Sequence, residues 1–260
     1  MVNQGKSGST GLSRALWLGW VVIAALFVVE VVEYIVGVAM DSGSLWFMVL
    51  LAVPGAGLIA WYFMHVKQLW SDDHADAEPA EHGHGGLGMN RLGLWVFIIS
   101  ETFLFSALLS SRYFLRGVER PDDLNQLLGL GISVVLLLSS LTAFRAEAAA
   151  EYGDQARFKR NMLFTLGLGL VFLVGVGVEW SEAFAHFPPD SAFGTIFFTM
   201  TGVHAFHVVT GMLVLAVVYN MGRDGRYGPG NYWGVEGGVK YWHFVDLAWV
   251  LIYPTLYLVS

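Results

Sequence analysis

The sequence predicts an all-α membrane protein: a bundle of seven transmembrane helices with a cytoplasmic N-terminus and an external C-terminus. Of its 260 residues, 55% are hydrophobic and only 13% are charged, about half the charged fraction of average soluble proteins. Seven stretches reach the roughly 20 apolar residues that a helix needs to cross the hydrocarbon layer. Polar and apolar residues do not alternate along these stretches as they do in the strands of a membrane β-barrel, so a barrel is disfavoured. The predicted spans are residues 15–40, 44–67, 92–111, 125–144, 162–183, 192–221 and 239–259.

The predicted orientation follows from the Lys and Arg residues. Eleven of the 14 fall on the side of the N-terminus, and only Arg112, Arg116 and Arg120 fall on the other side. Since cytoplasmic loops carry the excess of basic residues, this split places the N-terminus inside. The first span runs past a signal-peptide length without a small-residue cleavage site, which predicts a retained helix.

Charge and cysteine usage exclude several classes of function. A net charge of −7 and the absence of basic runs argue against nucleic-acid binding. With no cysteine, disulfides, iron–sulfur clusters, thiolate zinc sites and cysteine nucleophiles are excluded. The chain also lacks a P-loop, a GxSxG motif, an HExxH motif and a dinucleotide fingerprint.

One polar segment predicts a division of the chain. Residues 71–90 contain the run SDDHADAEPAEHGHGG, whose composition cannot pack a core. We therefore expect a two-span hairpin over 1–70, a polar linker rich in His and acids over 71–90, and a five-span bundle over 91–260.

Small residues predict which spans lie inside the bundle, because they let helix backbones approach closely in lipid. The fifth span has four such glycines, and the third has several Ser and Thr residues, so both are expected to be interior. The glycines are Gly167, Gly169, Gly175 and Gly177.

Acidic residues within the spans are the first functional candidates. Glu101 lies near the middle of the third span, where an ionised side chain facing lipid costs about 2.5–3.5 kcal/mol or more. Its carboxyl must be protonated, paired with another group or turned to a water-filled interior. Two roles stay open: a proton relay and a structural hydrogen bond. Glu30 and Glu33 share one face of the first span, in its outer half. Two interpretations stay open: hydrogen bonds to a partner helix, and a position in a water-filled cleft.

Histidines form the second set of candidates. His204 and His207 lie three residues apart on one helical face of the sixth span, and His243 and Asp246 do so on the seventh. A metal site needs these donors at one depth, whereas the predicted depths overlap only partly. Interhelical or lipid head-group hydrogen bonds are therefore favoured, with proton transfer left open. Haem ligation through His65 also requires equal depth on facing helices and is disfavoured.

Four motifs over residues 93–260 closely resemble subunit III of the haem–copper terminal oxidases, typified by cytochrome c oxidase. They occur in order on successive helices, which makes the combination specific. They are LWVFIISE ending at Glu101, EWSEA starting at Glu179, FFTMTGVHAFHV containing His204 and His207, and Glu236 with YWHFVDLAW containing His243 and Asp246. The first 70 residues, with AWYFMHVK ending at Lys67, instead resemble the two-span bacterial subunit IV. The resemblance implies a natural fusion of the two.

The resemblance implies a non-catalytic accessory subunit of a proton-pumping oxidase in a bacterial cytoplasmic membrane. Such a subunit stabilises catalytic subunit I, lies in a complex with subunit II, binds phospholipid and supports proton uptake in aerobic respiration. Haem and copper are expected in the partner subunits and not in this chain. The electron donor, cytochrome c or a quinol-oxidising complex, stays open, as do a quinol oxidase, a nitric oxide reductase, and a stand-alone transporter or haem protein.

The resemblance also assigns roles to individual residues. Glu101 is expected to be the buried carboxyl beside the lipid cleft. Interhelical or head-group contacts are expected from Trp95, His204, His207, Glu236, His243 and Asp246.

Overall fold

The computed structural model describes residues 4–40, 45–64, 85–114, 121 and 124–259. Within these residues the regular structure is helical apart from one isolated bridge between Gly228 and Asn231, which confirms the all-α prediction. Seven helices are described: α1 Gln4–Ala39, α2 Leu45–Leu58, α3 Gly85–Phe114, α4 Gln126–Glu151, α5 Gln155–His186, α6 Ala192–Gly222 and α7 Trp233–Tyr253. A π-helical turn follows α2 at Ile59–Phe63, and another follows α7 at Pro254–Leu258.

Five of these helices are long and apolar enough to cross a membrane, namely α1, α3, α4, α5 and α6. The second helix with its π turn contributes a shorter apolar segment, Phe47–Phe63. The seventh is apolar but carries Glu236, Lys240 and Asp246 within its length. The seven-span count and the orientation stay predictions. Several helices extend beyond their predicted spans, and α3 begins within the predicted linker.

Polar caps and a glycine define the turn between α4 and α5. The side chain of Asn125 accepts a hydrogen bond from the Leu128 amide at the start of α4, and Asp154 accepts one from the Arg157 amide at the start of α5. These side chains satisfy amides that the first helical turn leaves unpaired. Gly153, which separates the helices, has φ +76°, a conformation that glycine adopts without steric cost.

The seventh helix is the centre of the bundle. It contacts α2, α3, α4 and α6, and the side chains of Trp242, Trp249 and Tyr253 are fully buried. Two indole N–H groups donate to serines of α4: Trp242 Nε1 to Ser139 Oγ at 3.0 Å and Trp249 Nε1 to Ser133 Oγ at 2.8 Å. Serines of α4 therefore satisfy both of these buried indole groups of α7.

Glycines on one face of α5 admit close neighbours. A Cβ at Gly175 would lie 2.4 Å from Ile132 Cγ2 of α4, and one at Gly169 would lie 2.8 Å from Trp242 Cη2 of α7. A Cβ at Gly167 or Gly177 would have no heavy atom within 4 Å. The prediction that these glycines mark helix contacts is thus correct for only two of the four.

The prediction that the third span is interior is wrong within this chain. Only 11% of the membrane-spanning window of α3 is buried, against 56% for α4. Ser100 and Ser110 of α3 use their hydroxyls to donate to carbonyls of their own helix, at Phe97 and Ala107. These serines therefore add polarity without joining α3 to another helix.

Helices α1, α3, α5 and α7 run in one direction, and α4 runs the other way. We call the end at which the four parallel helices begin the near face, and the end at which they finish the far face. At the near face, Arg91 of α3 contacts Glu236 at the start of α7. At the far face, α1, α3 and α5 contact the segment that follows α7. The contacts are Gly37 with Leu258, Arg112 with Val259, and Glu179 with Tyr257.

Candidate functional site

An apolar cleft opens between α3, α6 and α7 and has a volume of about 840 Å³. Its wall is mostly hydrophobic and includes Phe97, Leu104, Phe206 and Val214. Gly237 and Gly238 of α7 lie at its near-face part. The loose packing of α3 leaves this cleft open along the side of the bundle.

The predicted carboxyl, Glu101, lies in the wall of this cleft and is paired with one of the predicted histidines. Glu101 Oε2 lies 3.0 Å from His207 Nε2, and the Ser100 hydroxyl lies 3.5 Å from the other carboxyl oxygen. The His207 ring packs against the edge of Phe105, with 5.0 Å between ring centroids. The side chain of Glu101 is 20% exposed and that of His207 is 8% exposed, so the pair lies in the wall of the cleft and is mostly buried.

The second nitrogen of His207 fixes the protonation of this pair. Nδ1 lies 2.8 Å from the Val203 carbonyl oxygen, and since a carbonyl only accepts, Nδ1 must carry a proton. The bond to Glu101 then needs one further proton, held either by a protonated carboxyl or by an imidazolium. The pair is neutral overall in both cases, which avoids the cost of an isolated charge inside a membrane protein.

A second polar contact lies one helical turn along the same wall. The Thr210 hydroxyl donates to the His207 carbonyl at 3.0 Å and lies 2.8 Å from the Tyr241 hydroxyl. Sequence reasoning did not select Thr210 or Tyr241, because neither an isolated threonine nor an interfacial tyrosine stands out in a membrane helix.

His204 does not share a site with His207. Its Nε2 donates to the Val245 carbonyl of α7 at 3.1 Å, and the ring is fully buried against Trp249 and Phe172. This bond joins α6 to α7.

His243 and Asp246 lie between α7 and α4, outside the residues that line the cleft. His243 Nδ1 lies 2.7 Å from the Ser140 hydroxyl and 3.8 Å from Asp246 Oδ2, and the ring stacks on Phe63. Within the described ranges, no three His or acidic side chains are grouped so that they could hold a metal ion. His65, the residue considered for haem ligation, lies outside the described residues.

Glu236 joins two cations at the near face. Its carboxyl accepts from Lys240 Nζ at 2.6 Å and from Arg91 Nη2 at 3.2 Å. Lys240 is 1% exposed and Arg91 is 51% exposed, and Arg91 also lies over the Trp233 ring. Sequence reasoning selected Glu236 but missed Lys240, which the four-residue spacing of the two on one helix could have identified. Trp95 lies half-buried against the hydrophobic core.

Comparisons with known proteins give one family. The model of the family "Cytochrome c oxidase subunit III" matches residues 19–260, which include most of the first predicted span and all of the second. The chain is similar to cytochrome c oxidase subunit 3 of Synechocystis sp., with 29% identity over 75% of this chain and 87% of that protein. It is similar to the Thermostichus vulcanus protein of the same name, with 29% identity over 73% and 96%. The Corynebacterium diphtheriae protein is 32% identical over 66% and 89%.

Proposed function

Because the chain belongs to the cytochrome c oxidase subunit III family, it is a multi-pass membrane accessory subunit of a haem–copper oxidase, and we propose a finer assignment. In this proposal it packs against catalytic subunit I, in a complex with subunit II, in a bacterial cytoplasmic membrane. The partner subunits carry the haem and copper. The family assignment favours this role over a stand-alone transporter or haem protein.

The cleft between α3, α6 and α7 is the observation that carries the functional part of the proposal. Its wall is long, apolar and open to the side of the bundle, as an acyl chain requires. Arg91 is half exposed beside Glu236, and Glu236 precedes the two glycines that line the near-face part of the cleft. We propose that the cleft binds phospholipid, with its acyl chains along α3 and its phosphate beside Arg91.

The Glu101–His207 pair supports a role in proton uptake. It holds one proton inside the membrane layer and borders the cleft. A group of this kind takes up or gives back a proton without moving a charge far into lipid. In this proposal the pair sustains proton delivery to the catalytic subunit during turnover, with cytochrome c as the electron donor.

The likeness of residues 1–70 to subunit IV is also kept as a proposal. The hairpin helices pack on the five-helix part, α1 against α4 and α2 against α7. In this proposal the hairpin occupies the position that a separate small subunit takes in other oxidases.

Purification of the tagged chain from its native membrane tests the assignment. We expect a coloured complex whose reduced-minus-oxidised spectrum shows haem, together with a large co-purifying subunit, and a colourless tagged chain after separation. Colour that stays with the isolated chain would make it a cytochrome, and a colourless chain without partners would favour a transporter. The masses of the partners distinguish a cytochrome c oxidase from a quinol oxidase or nitric oxide reductase.

Filling the cleft tests the lipid proposal. Val203 lines the cleft on α6, whereas Val209 is exposed on the same helix outside the lining residues. We expect Val203→Trp to lower the phospholipid retained by the purified complex in native mass spectrometry, and Val209→Trp to leave it unchanged. Equal lipid retention in the two variants would contradict the proposal.

A further inference from the structure

Two carboxyls of α1 are buried by this chain alone. Glu30 and Glu33 lie one turn apart and are 2% and 0% exposed. None of their four carboxyl oxygens has a hydrogen-bond partner among the described residues. Buried polar groups without partners are rare in native proteins and call for an explanation.

The surroundings of Glu30 favour a bound proton over a hydrated cation. Glu30 shares a small cavity with Asp246 and Trp249 of α7 and Ser133 of α4. The cavity leaves no room for a water molecule, so a hydrated ion does not fit. Two carboxylates that face one dry cavity repel each other, and a proton on at least one of them removes this repulsion.

Two tyrosines connect these carboxyls with the far face. Tyr253 lies one helical turn after Trp249, which lines the Glu30 cavity, and its hydroxyl donates to the Gln126 carbonyl of α4 at 3.5 Å. The Tyr253 and Tyr257 rings lie 5.3 Å apart between centroids, and the Tyr257 hydroxyl donates to Glu179 Oε2 at 2.6 Å.

The packing that brings these tyrosines together depends on one glycine of α4. A Cβ at Gly129 would lie 2.7 Å from Tyr257 Cδ1 and 3.0 Å from Tyr253 Cε2. The neighbouring residue Gln126 fixes the backbone of the π turn, since its Nε2 donates to the Tyr257 carbonyl at 3.0 Å.

Glu30, Glu33, Tyr253, Tyr257 and Glu179 form a row of polar groups from α1 to the far face. This row reaches the surface at Glu179. Its second oxygen, Oε1, is buried without a partner among the described residues. Glu179 also lines a pocket at the far face together with Glu182 and His186, whose space of about 10 Å³ is close to that of one water molecule. Glu182 and His186 are exposed there.

Toward the near face, the row is closed by a hydrophobic cluster. The α1 residues before Glu30 that face inward are Leu26, Ile23 and Val22, and they pack on Leu141 and Phe144 of α4. This cluster separates Glu30 from the near face along α1, while on the α7 side the cavity borders Asp246 and, beyond it, His243.

The charged and titratable groups around this row come from every element packed against it. They are Glu30, Glu33 and Tyr34 of α1, His243, Asp246 and Tyr253 of α7, Tyr257 of the π turn, Glu179, Glu182 and His186 of α5, and Arg112 of α3, which donates to the Val259 carbonyl. The facing polar groups of α4 are the uncharged Ser133, Ser140 and Gln126. The buried residues of α2 within the described chain are Met48, Ala52 and Gly55, none of which is polar.

We propose that Glu30 and Glu33 form a proton-binding site inside the bundle that exchanges protons with the far face through Tyr253, Tyr257 and Glu179. Each step moves one proton along a hydroxyl or carboxyl and needs no oxidant or reductant. The site is separate from the Glu101–His207 pair, which borders the cleft on the other side of α7. It also does not depend on which electron donor the complex uses.

Infrared spectroscopy of the intact purified complex tests this proposal. Protonated carboxyls give C=O bands that shift when the proton exchanges for deuterium. We expect bands that disappear in Glu30→Gln and in Glu33→Gln. We expect Tyr257→Phe to keep these bands and to slow their exchange after transfer to D₂O by roughly a hundredfold, the lower end of what a positioned proton-transfer group contributes.

A matched control and two contrary outcomes complete the test. Tyr227→Phe removes a buried hydroxyl from the loop after α6, at the near face, and should leave the exchange rate unchanged. Unchanged carboxyl bands in both Gln variants would overturn the proton site. An exchange rate in Tyr257→Phe equal to that of the wild type would overturn the route, and this measurement stands even where the Gln variants fail to assemble.

Discussion

The Nε2 atom of His207 lies 3.0 Å from Glu101 Oε2 and shares one proton with it, because the Val203 carbonyl already takes the proton on Nδ1. Removing the shared proton would leave a carboxylate facing the lone pair of a neutral imidazole. Adding another would leave an imidazolium beside a neutral acid, with no counter-charge in the pair. Either change creates net charge next to an apolar cleft, which is costly in a membrane protein.

Glu101→Gln tests the role of this proton. The amide can donate to His207 Nε2 and keep the bond, but it no longer titrates. We expect normal assembly, together with altered phospholipid retention or faster loss of activity during sustained turnover. Asp190→Asn removes an exposed carboxyl from the loop before α6 and serves as the control. Wild-type lipid content together with a wild-type inactivation rate in Glu101→Gln would contradict the role assigned to the pair.

Gly175→Ala should disrupt the contact between α4 and α5. The new Cβ would lie 2.4 Å from Ile132 Cγ2, and overpacking of this kind costs about 1–3 kcal/mol. Gly177→Ala, on the same helix, meets open space and should be neutral or slightly stabilising because alanine favours helix. The measurement is the thermal midpoint of the fluorescently tagged chain in detergent extracts. Equal midpoints for the two variants would mean that α4 and α5 do not approach closely at Gly175.

Ser133→Ala should loosen the central helix. It removes the acceptor of the Trp249 indole N–H, which is 2.8 Å from Ser133 Oγ in a fully buried position. An unsatisfied buried donor costs about 1–3 kcal/mol. Ser181→Ala removes an exposed hydroxyl that bonds only within its own helix in the structure, so we expect a change of less than about 0.5 kcal/mol. The same thermal assay compares them, and a Ser133 variant as stable as the Ser181 variant would contradict this role.

The near-face ion pairs should differ in their contribution to stability. Glu236→Gln removes a carboxylate from Lys240, which is 1% exposed, and disruption of a buried pair typically costs about 3–5 kcal/mol. Arg91→Gln removes the half-exposed partner of the same carboxylate, and such surface pairs contribute about 0–1 kcal/mol. We expect much less chain in purified membranes for Glu236→Gln than for Arg91→Gln. The reverse order would show that Arg91 is the more important partner.

The sequence predicted the kind of fold and the residues of the site better than it predicted how they pair. Glu101 and His207 stood out because polar groups deep in apolar helices are scarce. Their contact, 106 residues apart in sequence, depends on how α3 packs on α6, which no local pattern encodes. For the same reason the shared face of His204 and His207 did not reveal that they bond to different helices.

The misplacement of α3 in the predicted interior has a physical cause. Small residues permit close packing but do not require it, and the serines of α3 are satisfied by carbonyls of their own helix. Conversely, α7 carries Glu236, Lys240 and Asp246, which are unfavourable in a helix that faces lipid. These polar residues instead indicate a helix that is enclosed by other helices, because protein groups rather than lipid surround it.

The position of α7 also bears on how the bundle is made. A ribosome releases α1 through α6 into the membrane before the helix around which they pack has been synthesised. Until Trp242 and Trp249 arrive, Ser139 and Ser133 of α4 lack the indole groups that bond to them, and Gly169 and Gly211 face no indole ring. These contacts with α7 therefore form last, whereas α4 and α5, which pack closely on each other, can associate before α7 is made.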